Sequence, residues 1–154
     1  VEDATRRPTP PVGASPTEAF DAFISYSRRD ADFAAALHRA LERYVPPRGL
    51  DVPPRRLRIF RDTADLHGAD YYRAIEAHLT SARRLVVVCS PAAAASPYVD
   101  DEIARFVRLH GADAVVPVLW RGLPNNESPA ARAEERAFPP ALVAAMELPL
   151  AADY

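Results

Sequence analysis

The residues best suited to chemistry fall in three short segments, each following an apolar run. The most informative is Ser96-Pro97-Tyr98-Val99-Asp100-Asp101-Glu102. Ser96 and Pro97 fit the N-cap and first-turn positions of a helix. On that helix Tyr98 and Glu102 stand four residues apart and share a face, while Ile103 and Phe106 point elsewhere, toward the core. An aromatic plane beside a carboxylate can stack on a flat ring and hold an anion next to a developing cation. Cleavage of an N-glycosidic bond through an oxocarbenium-like state requires that pairing. A second account fits the same residues: acidic side chains in the first turns of a helix are favoured by its macrodipole, by about 0.3–1 kcal/mol each, which covers Asp100, Asp101 and Glu102 without catalysis.

The second segment, Ser25-Tyr26-Ser27-Arg28-Arg29-Asp30, offers hydroxyls, an aromatic face and two guanidiniums that could meet a pyrophosphate. Ser27 or Asp30 could equally serve only to cap the helix that follows. The third runs from Phe60, Arg61 and Asp62 through Leu66, His67 and Gly68 to Asp70, and taken alone it is a solvated loop. Other chemistries lack their residues. Gly13, Gly49, Gly68, Gly111 and Gly122 are isolated, so no phosphate-cradling glycine loop exists. His38, His67, His78 and His110 have no metal-ligand spacing with one another or with the lone Cys89. No G-x-S-x-G occurs, and Ser90 is followed by Pro91.

Elements must hold these segments in place. Phe20–Ser25, Leu57–Phe60, Leu85–Cys89 and Ala114–Leu119 read as strands, the third an unalternating apolar run expected where both faces are covered. Between them, Phe33, Leu37, Ala40, Leu41 and Tyr44 recur at helical spacing until Pro46 and Pro47 stop the run. Tyr72, Ile75 and Leu79 mark a second helix, and Ser96 to Gly111 a third. Pro117 argues that the fourth strand is an edge or a strand end. Residues 124–140 read as a long loop, Ala141–Met146 as a short helix and Glu147–Leu150 as a last strand. Strands alternating with helices imply a parallel sheet covered on both faces, and ligands of such sheets bind outside the carboxyl ends of the strands.

The 154 residues suit one domain after a proline-rich arm or linker over residues 1–18. The formal charge of −2 supplies no basic field, so nucleic acid is not an expected partner. All 19 basic residues are Arg, a bias that a GC-rich genome explains. Cys89 sits in an apolar run, which excludes a disulfide framework and suits a cytoplasmic location. No apolar stretch approaches the ~20 residues that span a bilayer, so no membrane partner is expected. The chain starts at Val1 rather than Met, and further domains are expected beyond it.

Taken in order, these segments resemble a bacterial Toll/interleukin-1 receptor (TIR) domain across roughly residues 19–120. Phe23-Ile24-Ser25-Tyr26-Ser27 resembles the family's first box, Phe60 through Gly68 its second strand and long following loop, and Val86 to Pro91 its central strand and exit. Ser96 to Glu102 resembles the serine, aromatic, glutamate pattern of the NAD-cleaving branch, with Tyr98 where that branch usually has Trp. The resemblance implies an α/β fold with a flavodoxin-like open parallel sheet of four or five strands and helices on both faces. It implies Glu102 as the catalytic residue for releasing nicotinamide from NAD, with ADP-ribose or a cyclic form as product. NAD would be substrate, with no cofactor or metal, and Tyr26, Ser27, Arg28, Phe60, Arg61, Asp62, Leu66, Ser96 and Tyr98 would line its cleft. It implies other TIR domains as partners, in a homo-oligomer or filament formed through the 61–70 loop, and a role as effector of a larger defence, signalling or virulence protein. The alternative is a TIR–TIR interaction module without chemistry, although the family's adaptor members generally lack a glutamate at this position.

Overall fold

Strand alternation divides the core into two layers. The computed structural model describes residues 19–52, 54–63, 69–125, 127, 129–147 and 150–153. Within them run β1 (Ala22–Ser25), α1 (Ala31–Arg43), β2 (Ile59–Arg61), α2 (Ala69–Ser81), β3 (Arg84–Cys89), α3 (Pro91–Ala94), α4 (Pro97–His110), β4 (Val115–Leu119), α5 (Pro140–Ala145) and β5 (Ala152–Asp153). The strands form one parallel sheet in the order β2-β1-β3-β4-β5. Phe23, Leu85, Val87 and Cys89 face one way and pack with Ile75 and Leu79 of α2, Ile103 and Phe106 of α4 and Leu142 of α5. Ala22, Ile24, Val86 and Val88 face the other way and pack on Phe33 and Ala34 of α1. Helices therefore cover both faces, as expected of a flavodoxin-like sheet.

Four details depart from the expectation. The buried stripe of α2 is Tyr71, Ile75 and Leu79, and Tyr72 is exposed; Tyr71 and Tyr72 both stand at helical spacing from the later apolar residues, so periodicity alone cannot choose between them. The last strand lies at Ala152–Asp153 rather than 147–150, with Glu147 and Leu150 outside it. Ser90 starts a short helix at β3's exit, accepting the Ala93 N–H at 3.0 Å with Pro91 in the first turn. β4 is one strand in from the edge, but β5 pairs only with Val118 and Leu119, so among the described residues Pro117 has no strand partner on that side. The long segment after β4 is pinned by a bridge between Leu123 and Arg136. Its anchor is Gly122, at φ +85°, where an added Cβ would come 2.4 Å from the Glu135 carbonyl oxygen and 3.0 Å from the Pro91 ring. Residues 1–18, Leu66 and the rest of 64–68 lie outside the described residues.

Two outcomes are expected. Gly122→Ala should lower stability by about 1–3 kcal/mol, from both the left-handed backbone and the carbonyl clash, as read by denaturant melts; an unchanged midpoint would remove Gly122 as the anchor. Cys89 is fully buried and burial pushes its thiol up to about 12. It should react with a thiol reagent far more slowly in native than in denatured protein, and equal rates would contradict its place in the central strand.

Candidate active site

The sequence sets Glu102 on a face apart from the core-directed Ile103 and Phe106, whereas the structure turns it inward and supplies its partners. Ser96 caps α4, its Oγ accepting the Val99 N–H at 3.4 Å, and Pro97 occupies the first turn. That start fixes the helical phase, so Val99, Glu102, Ile103 and Phe106 turn inward. Glu102 is therefore on the same inward stripe as Ile103 and Phe106, not on a separate face, and is only 6% exposed. The two neighbouring acids have other duties: Asp100 Oδ1 accepts the Ala141 N–H of α5 at 2.7 Å, and Asp101 pairs with Arg105 at 2.7 Å. The macrodipole account thus suits Asp100, in the first turn, better than Glu102, which lies beyond that turn and is buried.

A buried carboxylate needs donors. Ser25, the last residue of β1, donates its hydroxyl to Glu102 Oε2 at 2.5 Å, and Tyr71 of α2 donates its phenol to Oε1 at 2.5 Å. Burial pushes the Glu102 carboxyl up to about 7, even though both hydroxyls favour the ionised form; the negative charges of Asp62 and Asp101 add to the rise. Burial also raises the Tyr71 phenol, and the Glu102 charge adds to it. Tyr71 therefore remains a donor at neutral pH.

A small cavity opens above the carboxylate at the carboxyl ends of β1 and β2. It brings together six of the residues expected from the sequence: Tyr26, Arg28, Asp62, Ser96, Tyr98 and Glu102. Tyr98 is 47% exposed and stands on the rim, its ring edge-on to Tyr71 at 5.4 Å between centroids. Tyr26 donates its hydroxyl to the Asp62 carbonyl at 2.5 Å, joining the exits of β1 and β2.

Three expected residues stand elsewhere. Arg61 does not line the cavity; it backs Tyr26, with its guanidinium carbon 5.7 Å from the ring centroid. Phe60 turns into the core, stacked on His78 at 3.8 Å and close to Phe20 and Phe23, because its neighbours in the strand set its face. Ser27 caps the 3₁₀ turn Arg28–Asp30 and opens instead onto a second, wider hollow with Arg29, Asp30, Ser90 and Arg121. Leu66 is outside the described residues. Ser25 is read from the sequence only as one hydroxyl of its segment, not as a partner of Glu102, and Tyr71 is not read as a site residue, although a tyrosine in phase with Ile75 and Leu79 signals a buried phenol that must find a partner. Among the described residues no group of His, Cys, Asp and Glu could hold a metal, and no helix is long and apolar enough to cross a membrane.

Comparison with known proteins shows the family. The NAD(+) hydrolase ApTIR of an Actinoplanes species is 36% identical over 105 residues, which cover 67% of this chain; the chain spans only 14% of that protein's length. The TIR domain of the Toll-related receptor TRR-2 from Hydra magnipapillata superimposes with a TM-score of 0.51 at 20% identity, covering 73% of this chain and 77% of that one. That likeness bears on fold alone. The TIR domains of the activated Roq1 resistosome, which directly recognises the pathogen effector XopQ, align with a TM-score of 0.49 at 24% identity, over 66% of this chain and 57% of that one. The family model for the TIR domain matches residues 22–140, from the start of β1 to the start of α5. With that match over most of its length, and with the parallel sheet and strand order described above, the chain belongs to the TIR domain family.

Proposed function

We propose that this domain cleaves NAD at the bond between nicotinamide and ribose, with Glu102 as the catalytic carboxylate. The observation that carries the reading is a buried carboxylate, held by one hydroxyl on each oxygen, at the base of a cavity with an aromatic rim and a guanidinium in its wall. The similarity to an NAD(+) hydrolase points the same way. In the proposed reaction the C1′–N bond breaks and its electron pair leaves with neutral nicotinamide. Positive charge then develops on the ribosyl ring, beside Glu102 in a site shielded from water, where a fixed anion is most effective. Water adds at C1′ and loses a proton to give ADP-ribose; attack by an adenine nitrogen instead gives a cyclic product. Tyr98 is placed to stack on the nicotinamide ring, and Arg28 to meet the pyrophosphate. In this reading the enzyme is the effector part of a larger cytoplasmic defence protein.

Glu102→Gln keeps the volume and reach of the side chain and deletes its charge. NAD turnover should fall by about 10²–10³-fold, the cost of removing one preorganised group, or about 2.7–4 kcal/mol. Asp101→Asn, the matched loss of a neighbouring charge that does not line the cavity, should keep nearly all activity. Turnover in Glu102→Gln equal to the parent would leave the interaction-module reading in its place. Stability gives a second measure. Folded Glu102 titrates near 7 against an ordinary value of 4.5, so the folded state holds a proton that the unfolded state has lost across that window. The parent should therefore lose up to about 3 kcal/mol as pH rises from about 4.5 to 7 and level off above it. Glu102→Gln should lack that contribution and melt higher than the parent at pH 8.

The proposal extends to assembly. Activity should depend on association through the 61–70 loop, so rate per molecule should climb with protein concentration and drop on replacement of Leu66 or Gly68. A specific activity constant across dilution would reject association as the trigger.

A further inference from the structure

We propose that Tyr71 is a positioning residue for Glu102: its phenolic O–H, with the Ser25 hydroxyl, fixes the plane of the carboxylate, while its ring sets the angle of Tyr98. The inference rests on the assignment of Glu102 to bond cleavage above.

The two donors approach from different elements. Tyr71 comes from the first turn of α2 and Ser25 from the end of β1, while Glu102 itself is on α4. Each takes one carboxylate oxygen, Oε1 and Oε2 respectively, at 2.5 Å. Held at both oxygens, the group cannot rotate without breaking a hydrogen bond, yet each oxygen keeps a further lone pair for a ribose hydroxyl. Packing alone does not require the phenol. Tyr71 is 5% exposed, and phenylalanine would fill nearly the same volume without bringing a hydroxyl into the core. The hydroxyl therefore has its use in the bond it makes. The ring meets Tyr98 edge-on, with 78° between planes, so one side chain touches both the carboxylate and the aromatic rim.

The charges around Glu102 make the donors matter. Asp62 at the exit of β2 and Asp101 on α4 itself both disfavour its ionisation, as does burial. Arg28, from the 3₁₀ turn after β1, is the cation lining the same cavity, and the remaining titratable side chains there are Tyr26 and Tyr98. The hydroxyls of Ser25 and Tyr71 lower the carboxyl against these pressures and leave it near 7, where a useful fraction is charged at neutral pH. Removing either donor raises it.

The test uses the parent, Tyr71→Phe, Ser25→Ala and Glu102→Gln at equal concentration. It reads kcat and KM for NAD across pH, and follows the Glu102 carboxyl by ¹³C NMR, with the resonance assigned by its loss in Glu102→Gln. Tyr71→Phe should move the carboxyl midpoint and the acidic limb of the rate profile up together, by about one unit, from loss of a hydrogen bond to a charged group. At pH 7 kcat should fall by about fivefold, and it should recover near pH 9, with KM for NAD within about twofold of the parent. Ser25→Ala should shift both in the same direction. A midpoint and profile that superimpose on the parent's would overturn the inference, as would a loss of kcat that no rise in pH restores while the midpoint stays still. Should the midpoint move while Glu102→Gln still cleaves NAD at the parental rate, the assignment of Glu102 fails and the positioning role in cleavage goes with it.

Discussion

The cavity at the carboxyl end of the sheet is organised around one interaction, the accommodation of an ionisable carboxyl in a buried position. Glu102 occupies a position on α4 that its helical neighbours Val99, Ile103 and Phe106 fill with apolar side chains. An unpartnered carboxylate there would cost several kcal/mol. Two hydroxyls from elsewhere in the fold make the position tenable, and their arrival ties β1 and α2 to α4 at a single point. An apolar residue would pack at that position more cheaply, so the cost falls where a stability-for-activity exchange is expected, at the group proposed to react.

What was readable in the sequence is what is local. The Ser96 cap, the Pro97 start and the Tyr98–Glu102 spacing depend on residues within a turn or two of each other, and the structure keeps all three. The β3 run from Leu85 to Cys89 likewise has no polar residue that would let either face meet water. The partners of Glu102 were hidden because they lie 77 and 31 residues away, and neither a serine at a strand end nor one of two adjacent tyrosines signals a carboxylate across the core. Ser27 and Phe60 show the complementary error. Sequence order puts them beside cleft residues, but a one-residue step along a strand or tight turn reverses the direction of a side chain.

The two layers of the core carry different burdens. The layer under α1 is built from Ile24, Val86 and Val88 with Phe33. The opposite layer includes Tyr71 and adjoins Glu102. Buried polarity gathers at the carboxyl ends of the strands, at Ser25, Ser27, Asp30, Ser90 and Glu102. Arg28, in the turn that leads into α1, carries the cavity wall to that helix as well.

The link from Asp100 to the Ala141 N–H bears on where the folding unit ends. The family match stops at residue 140, yet α5 begins there, Leu142 and Phe138 are buried against α4 and the strands, and Met146 and Ala151 pack on the same cluster. A fragment cut after β4 would keep every residue of the cavity and still lose the helix that braces α4 from behind. Phe106 and Ile103 would then meet solvent one turn beyond Glu102, and Asp100 would lose its partner in the turn before it. The segment after β4 is in this sense a buttress: among the described residues it contributes no side chain to the cavity, and the rigidity of the helix that bears the carboxylate depends on it.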